Sequence, residues 1–224
     1  MRQPSKDQFV GCLLGQCLGD SVGFVKEGDS TKACVTYVEE ILRPRKIGQI
    51  KWGQYSDDSQ LAREILLSYV SKGTFDQRDC ARRFMLLFDA NRVVGAGLAT
   101  ARAAHRLARG VGLDEAGEPS PSAGNGTAGQ RMGRHFSFCN NKRALESLLV
   151  PEDYWESICT AVFPGGDVDT TAAMTGAVSG AHVGIEGIPD DWARRVTDLG
   201  EWEYNDLVIL ATRCYELRSK TDHY

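Results

Sequence analysis

The sequence predicts an all-α fold, and three observations support that prediction. Apolar residues recur at helical spacing along most of the chain. Strand signals are weak, because the main candidate, VTYVEEIL at 35–42, has a period that fits a helix or a loop equally well. The 224 residues, 42% apolar and 25% charged, have the composition of a globular chain that can bury a core. We therefore expect one helical domain over residues 1–224, with a loop rich in Gly, Pro and Ser at about 110–130.

The first predicted helix, at residues 7–24, carries glycine at every fourth position. These glycines are Gly11, Gly15, Gly19 and Gly23. Glycine inside a helix costs about 0.5–1 kcal/mol relative to alanine, so a stripe of four predicts close approach by another backbone or by a ligand. Helix packing is the interpretation that we favour for the first three.

The remaining helices follow from periodicity and capping signals. They are predicted at 57–71, from Thr74 as the cap to about Ala90, and at 94–109, 141–149, 152–162, 169–183, 190–196 and 200–218. The helix at 57–71 is expected to bury Leu61, Ile65 and either Leu66 or Tyr69, and to end at Lys72 and Gly73.

Charge and hydropathy exclude two classes of partner. A net charge of −4 argues against a surface that binds nucleic acid, since such affinity comes mainly from clustered Lys and Arg. The apolar run near the N-terminus is interrupted by Gln16 and Asp20, which makes it too short and too polar for a membrane span. We expect a cytoplasmic protein with no nucleic-acid or membrane partner.

Cysteine and histidine usage predicts neither a zinc site nor a disulfide framework. The seven cysteines are odd in number and form no CxxC pair, which favours buried thiols. His105 and His182 lie in helical patterns with no neighbouring Cys or second His, and are expected to be packing or surface residues.

Two acidic motifs stand at predicted helix starts, more than 100 residues apart. They are YSDDSQ, with Ser56, Asp57 and Asp58, and GGDVDTT, with Asp167, Asp169 and Thr170. Helix capping, for about 0.3–1 kcal/mol, is one interpretation. The other is that the four aspartates converge and that divalent cations relieve their repulsion. An all-oxygen donor set selects Mg²⁺, Mn²⁺ or Ca²⁺ over zinc or copper, and four carboxylates suit two ions that share ligands.

Four segments, taken in order, resemble the ADP-ribosylglycohydrolase family. They are the glycine-rich first helix with Glu27, the motif YSDDSQ, the segment SAGNGTAGQRM at 122–132, and the stretch that begins GGDVDTT and extends to about residue 192. The resemblance implies an orthogonal multi-helix bundle with a binuclear Mg²⁺ centre, Mn²⁺ being the alternative ion. It also implies a hydrolase that removes ADP-ribose from a modified protein side chain or a related small-molecule conjugate, by N- or O-glycosidic cleavage at C1″.

The resemblance assigns roles to residues at matching positions. The implied metal ligands are Ser56, which replaces the usual threonine, and Asp57, Asp58, Asp167, Asp169 and Thr170. The implied catalytic residues are Glu27 and Asp58, one of the carboxylates acting as general base; a solvated loop carboxylate is the alternative for Glu27. The implied contacts to the ribose and diphosphate are Ser122, Gly124, Asn125 and Gly126, a string that by itself indicates only a flexible loop.

The interval between Met132 and Gly166 leaves a second function open. It spans only about 34 residues, where the family usually has further helices and a histidine-containing segment, so His135 is not equated with that histidine. The alternative is therefore a catalytically degenerate member that binds metal or ADP-ribose without turnover. A diphosphate-ionising or phosphohydrolase site is disfavoured, because Leu61 stands where a DDxxD motif needs its last aspartate.

Overall fold

A computed structural model of the chain describes residues 3–117 and 152–221. In chain order its α-helices are α1 (Lys6–Phe24), α2 (Thr31–Tyr37), α3 (Asp57–Lys72), α4 (Gln77–Asp89), α5 (Leu98–Ala108), α6 (Tyr154–Val162), α7 (Val168–Val183), α8 (Asp190–Ala193) and α9 (Tyr204–Thr221). Short π- or 3₁₀-helical turns lie at Val38–Leu42, Ile47–Gln49 and Ile185–Gly187. The strands β1 (Thr197–Asp198) and β2 (Trp202–Glu203) form one small antiparallel pair. The all-α prediction is confirmed.

The described residues belong to two compact units. Unit 1 contains residues 3–55 and 152–221, with α1, α2 and α6 to α9; unit 2 contains residues 56–117, with α3 to α5. The expectation of a single domain over 1–224 stays a prediction. Within these two ranges, no helix combines the length and the apolar character that crossing a membrane requires.

The core of unit 1 is an antiparallel pair of helices, α1 and α7, whose backbones touch. A Cβ atom added at any glycine of the α1 stripe would lie 2.2–2.5 Å from a carbonyl oxygen of α7: Gly11 from Gly180, Gly15 from Gly176, Gly19 from Ala172 and Gly23 from Val168. Real Cβ atoms do not approach oxygen so closely, so only glycine permits this distance between the helices. The predicted packing of the first three glycines is confirmed, and the fourth packs in the same way.

Tyr154, at the start of α6, fixes this helix pair from the side. Its ring lies against the backbone at Gly15 and Gly176, and its buried hydroxyl donates a 2.7 Å hydrogen bond to the carbonyl oxygen of Gly15. Burial raises the pKa of Tyr154 well above its ordinary value, so the hydroxyl remains a donor at every physiological pH.

A tryptophan cluster anchors the segment that precedes Ser56. Trp192 is fully buried, with its ring centroid 4.5 Å from that of Trp52 and 4.5 Å from that of Trp155. The Nε1–H of Trp155 donates to the carbonyl oxygen of Leu42 at 2.9 Å. The backbone N–H of Tyr55 in turn donates to the carbonyl oxygen of Thr197 at 3.2 Å. Packing and backbone hydrogen bonds thus hold the chain within unit 1 up to residue 55.

The core of unit 2 forms where α3 meets α4. Its buried members are Leu61, Ile65, Cys80 and Leu87, with Phe84, Phe88 and Val93 packed against them. Burial of Leu61 and Ile65 and the helix end at Gly73 are as the sequence predicts, whereas Leu66 and Tyr69 are only half-buried. The loop that follows α5 is described only to residue 117, and Arg106 Nη2 donates to the carbonyl oxygen of Glu115 within it at 2.8 Å.

An ion-pair network covers one side of this core. The carboxylate of Asp79 is 5% exposed and accepts hydrogen bonds from Arg83 at 2.6 Å and from Arg82 at 2.9 Å. These bonds, that from Arg83 above all, hold the pKa of Asp79 well below its ordinary value. Arg83 also lies 3.7 Å from Glu64, which pairs with the buried Arg63 at 3.1 Å.

Some element boundaries differ from the predictions, for local reasons. The predicted cap Thr74 is wrong, because the side chain of Asp76 accepts hydrogen bonds from the backbone N–H groups of Arg78 and Asp79 and begins α4 there. Helix α5 begins at Leu98 rather than at 94. The ambiguous segment at 35–42 is helical, as the end of α2 and a π-helical turn.

Near the C-terminus, two predicted helices are shorter than expected. The predicted helix at 190–196 ends at Ala193, and β1 and β2 occupy part of the interval before α9, which begins at Tyr204 rather than at 200. The predicted helix at 141–149 lies outside the described residues.

The expectations for cysteine and histidine agree with the described residues. The six cysteines there are thiols, and five of them are buried, while Cys139 lies outside this part of the chain. His105 and His182 are exposed on α5 and α7.

We expect Tyr154→Phe to lower the free energy of unfolding by about 1 kcal/mol, because a buried carbonyl oxygen loses a hydrogen bond. Urea unfolding of both proteins measures the difference. Tyr69→Phe, at a half-buried position of α3, is the control. Equal losses from the two substitutions would contradict the assigned role.

We expect Asp79→Asn to lower the free energy of unfolding at pH 7 by about 1.5–3 kcal/mol, the range for hydrogen bonds to charged groups. The folded-state pKa of Asp79 is lowered, so its contribution is present above the unfolded pKa of about 3.9 and is lost as the pH falls through the folded value. Urea unfolding at pH 7 and at successively lower pH should therefore show the two proteins converging in acid. Asp89→Asn, at the exposed end of α4, serves as the control, and a difference that does not depend on pH would refute the explanation.

Candidate functional site

The first acidic motif begins α3, in unit 2. Ser56 is the N-cap residue, and its Oγ accepts a 3.2 Å hydrogen bond from the backbone N–H of Asp58. Ser56 is fully buried, while Asp57 is 6% and Asp58 2% exposed. Capping by Ser56 is therefore confirmed. A hydroxyl oxygen has two lone pairs, so the same atom can cap the helix and also face a cation.

Gln60, one turn along α3, fixes the position of this motif. Its side-chain Nε2 donates to the carbonyl oxygen of Arg92 at 2.9 Å, and its Oε1 accepts from the N–H of Val94 at 2.9 Å. The N–H of Asp57 donates to the carbonyl oxygen of Val94 at 2.7 Å. Sequence reasoning missed the role of Gln60, although a fully buried amide three residues after Asp57 lies on the same face of the helix.

Burial makes the first motif electrostatically costly. Removing a carboxylate from water costs several kcal/mol, whereas the N-terminal end of a helix returns about 0.3–1 kcal/mol and at most about 2 kcal/mol. Asp57 and Asp58 are adjacent and both buried, so each also raises the cost of the other's charge. The helix dipole offsets only part of this cost. A divalent cation has the sign and strength of charge to offset more of it.

The second acidic motif begins α7, in unit 1. It follows a tight turn in which Gly165 and Gly166 have φ of 75° and 86°, conformations that favour glycine. Asp167 is exposed at the N-cap position, where its side chain makes no capping hydrogen bond. Asp169 is 4% and Thr170 7% exposed, both in the first turn of α7.

The loop after α1 clamps the turn that precedes this motif. The N–H of Gly28 donates to the carbonyl oxygen of Gly166 at 2.9 Å, and the N–H of Gly166 donates to that of Asp29 at 3.1 Å. Thr31 Oγ1 donates to the carbonyl oxygen of Pro164 at 2.7 Å. Three hydrogen bonds thus join two segments that are more than 130 residues apart in the sequence.

Glu27 lies at this clamp. It is exposed and directly precedes Gly28, while Asp167 directly follows Gly166, the bonding partner of Gly28. The structure therefore brings the backbones of Glu27 and Asp167 together in unit 1. This position fits the predicted catalytic carboxylate, and the role itself stays a prediction.

A sequence model of a known family matches most of the chain. The model described as ADP-ribosylglycohydrolase matches residues 1–133 and 140–223, which is nearly the entire sequence. The chain belongs to this family. The predicted resemblance is confirmed.

Individual ADP-ribosylglycohydrolase relatives differ in how much of their length is matched. The chain is 34% identical over 104 residues to ADP-ribosylhydrolase ARH3 of Bos taurus, covering 43% of this chain and 28% of that protein. In an alignment 270 residues long, it is 22% identical to ADP-ribosyl-[dinitrogen reductase] glycohydrolase of Rhodospirillum rubrum. This alignment covers 85% of this chain and 90% of that one. The match thus spans less than a third of the length of the ARH3 relative.

A solved structure supports the fold. A chain of an ADP-ribosylglycohydrolase-related protein complex superposes with a TM-score of 0.68 at 19% identity, covering 95% of this chain and 98% of that one. Coverage this complete on both sides means that the two chains have similar lengths. At this identity the comparison establishes the fold class alone.

Part of the predicted ADP-ribosylglycohydrolase site lies outside the described residues. This part comprises the predicted substrate contacts Ser122, Gly124, Asn125 and Gly126. Their assignments stay predictions.

The donor set of the two motifs fits a hard divalent cation. It consists of carboxylates and hydroxyls at two helix starts, without thiol or imidazole, and all of these side chains except that of Asp167 are buried. Within 3–117 and 152–221, no group of three or more His, Cys, Asp and Glu side chains already has the spacing of a metal site. The convergence of Asp57 and Asp58 with Asp167 and Asp169 stays a prediction.

We expect Asp58→Asn to distinguish cation binding from simple capping. The Tm of each protein in EDTA is its metal-free reference. With Mg²⁺ at 100 times its Kd, the original protein should gain about 2.7 kcal/mol and the variant much less. Thermal unfolding in EDTA and in Mg²⁺ measures both effects.

The control for this prediction is Asp7→Asn, because Asp7 is exposed in the first turn of α1, where a carboxylate interacts favourably with the helix dipole. It should lower Tm slightly and equally in both solutions. If Asp58→Asn behaves in the same way, the motif is a helix cap only.

Proposed function

We propose that the chain is a Mg²⁺-dependent hydrolase that removes ADP-ribose from a modified protein side chain or a related small-molecule conjugate, by cleaving an N- or O-glycosidic bond at C1″. The observation that carries the proposal is the family match over nearly the whole chain, together with two acidic motifs at helix starts, in which Asp57, Asp58 and Asp169 are buried. The relatives named above are hydrolases of ADP-ribosyl groups by description.

The proposed cofactor is a pair of Mg²⁺ ions, with Mn²⁺ as the alternative. The proposed ligands are Ser56, Asp57, Asp58, Asp167, Asp169 and Thr170. When bound, such ions lower the pKa of a water molecule and bind neighbouring hydroxyl groups of the ribose. The clamp at 164–166 and the hydrogen bonds of Gln60 hold the backbone of each helix start in place, which limits how much each motif has to reorganise when a cation binds.

A carboxylate of the chain acts as the general base in this proposal. It accepts a proton from the attacking water, whose oxygen bonds to C1″ while the glycosidic bond breaks. The electron pair of that bond leaves with the side-chain nitrogen or oxygen, to which the base then returns the proton. Glu27 fits this role better than Asp58, because Glu27 is exposed to water whereas Asp58 is 2% exposed and better placed as a ligand. Negative charge near C1″ also stabilises an oxocarbenium-like transition state.

In this proposal, the segment between the two acidic motifs recognises the substrate. Ser122, Gly124, Asn125 and Gly126 are proposed to contact the ribose and the diphosphate, with glycine N–H groups directed at phosphate oxygens.

We expect the purified chain to release ADP-ribose from a mono-ADP-ribosylated protein in Mg²⁺ and to lose this activity in EDTA. Asp57→Asn should lower both Mg²⁺ affinity and kcat by more than about 100-fold, since even residues behind metal ligands contribute 10- to 100-fold. Glu27→Gln should lower kcat while leaving Mg²⁺ affinity unchanged. Chromatographic detection of released ADP-ribose, with calorimetric titration of Mg²⁺, separates the two effects.

Asp191→Asn, at an exposed position in the first turn of α8, is the matched control and should change neither quantity. Binding of Mg²⁺ and ADP-ribose without release from arginine-, serine- or other acceptor-linked substrates would contradict the hydrolase and identify a non-catalytic binding protein instead.

A further inference from the structure

The last glycine of the α1 stripe contacts the second acidic motif itself. A Cβ atom at Gly23 would lie 2.5 Å from the carbonyl oxygen of Val168 and 2.7 Å from the Cα atom of Asp169. Both are backbone atoms, which cannot rotate away as the end of a side chain can. The place of Asp169 next to α1 therefore depends on the absence of a side chain at Gly23.

The other glycines of the stripe meet α7 farther along its axis. Gly11, at the opposite end, contacts Gly180, whose carbonyl oxygen would be 2.2 Å from an added Cβ atom. Gly180 lies about 16 Å from Asp169 along the helix at a rise of 1.5 Å per residue. The glycines of the stripe therefore make similarly tight contacts with α7, but they lie at very different distances from the second acidic motif.

We propose that Gly23 is a positioning residue for cation binding by Asp169 and Thr170, an inference that rests on the proposed function. Alanine at this position would have to move the first turn of α7 by about 0.7–0.9 Å to restore an ordinary contact of 3.4 Å. Metal–ligand distances tolerate about 0.2 Å, and a working site tolerates about 0.5 Å. The displacement exceeds both limits.

The clamp transmits the same displacement to Asp167. Gly23 and Gly28 are five residues apart on one continuous segment, and the N–H of Gly28 is bonded to the carbonyl oxygen of Gly166. Movement of the end of α1 therefore also pulls on the turn that carries Asp167. One glycine controls the backbone position of both acidic residues of the motif.

The test compares Gly23→Ala with Gly11→Ala. Added Cβ atoms would lie 2.5 Å and 2.2 Å from backbone oxygens at the two positions, so both variants should lose thermal stability in the absence of metal. Calorimetric titration with Mg²⁺, repeated with Mn²⁺, should give a Kd at least about 10-fold higher for Gly23→Ala. The Kd of Gly11→Ala should stay within about 2-fold of that of the original protein.

Equal metal affinity of Gly23→Ala and Gly11→Ala would overturn the inference, whether both bind normally or both bind weakly. If the original protein binds neither ion, the proposed function fails first and this inference with it, an outcome visible before any variant is made. If Gly23→Ala does not fold, Gly19→Ala replaces it, because its added Cβ atom would lie 2.2 Å from Ala172, one turn beyond Asp169. It should weaken binding more than Gly11→Ala, and equal affinity of these two would overturn the inference.

Discussion

The direct backbone contact between α1 and α7 is the constraint on which unit 1 depends. Four glycines in one helix sacrifice about 2–4 kcal/mol of helix propensity, a loss that is tolerated because they allow two helices to meet at carbonyl oxygens. Such a contact fixes the register of the pair closely, since each glycine lies opposite one carbonyl oxygen of the facing backbone. The start of α7 and the loop after α1 therefore occupy set positions before any polar interaction is considered.

The two acidic motifs are held by different means. In unit 1, close packing of α1 and α7 and the three-bond clamp at 164–166 hold the motif at Asp169. In unit 2, the side-chain amide of Gln60, which donates to Arg92 and accepts from Val94, and the N–H of Asp57, which donates to Val94, hold the motif at Asp57 and Asp58. At both motifs, these backbone N–H and C=O groups form hydrogen bonds with other protein atoms. The carboxylates are therefore the groups that define the chemistry of the site.

The sequence was sufficient where a local pattern decides the structure. The start of α3 at Ser56, its end at Gly73 and the close approach at Gly11, Gly15 and Gly19 follow from capping, backbone preference and spacing. It was insufficient where neighbouring residues compete. Thr74 and Asp76 are both good N-cap residues, and only the tertiary path of the chain selects Asp76.

Long-range hydrogen bonds to the backbone leave no local pattern in a sequence. The clamp between Gly28 and Gly166 and the bond from Gln60 to the loop at Arg92 are invisible to periodicity, because each joins segments that propensity treats as unrelated. The pair β1 and β2 was missed because two-residue strands are too short to show alternation. The order of the motifs in the sequence was enough to indicate the family. The packing of α1 against α7 and the hydrogen bonds at the two acidic motifs explain why the motif residues keep their geometry.

The glycine stripe also limits how this chain can diverge. A side chain gained at any of its four positions would collide with a main-chain oxygen, and main-chain oxygens are common to all twenty amino acids. No compensating replacement on α7 can make room, in contrast to an ordinary core where a larger residue is balanced by a smaller neighbour. A side chain at one of these positions can therefore be accepted only if the two backbones separate around it.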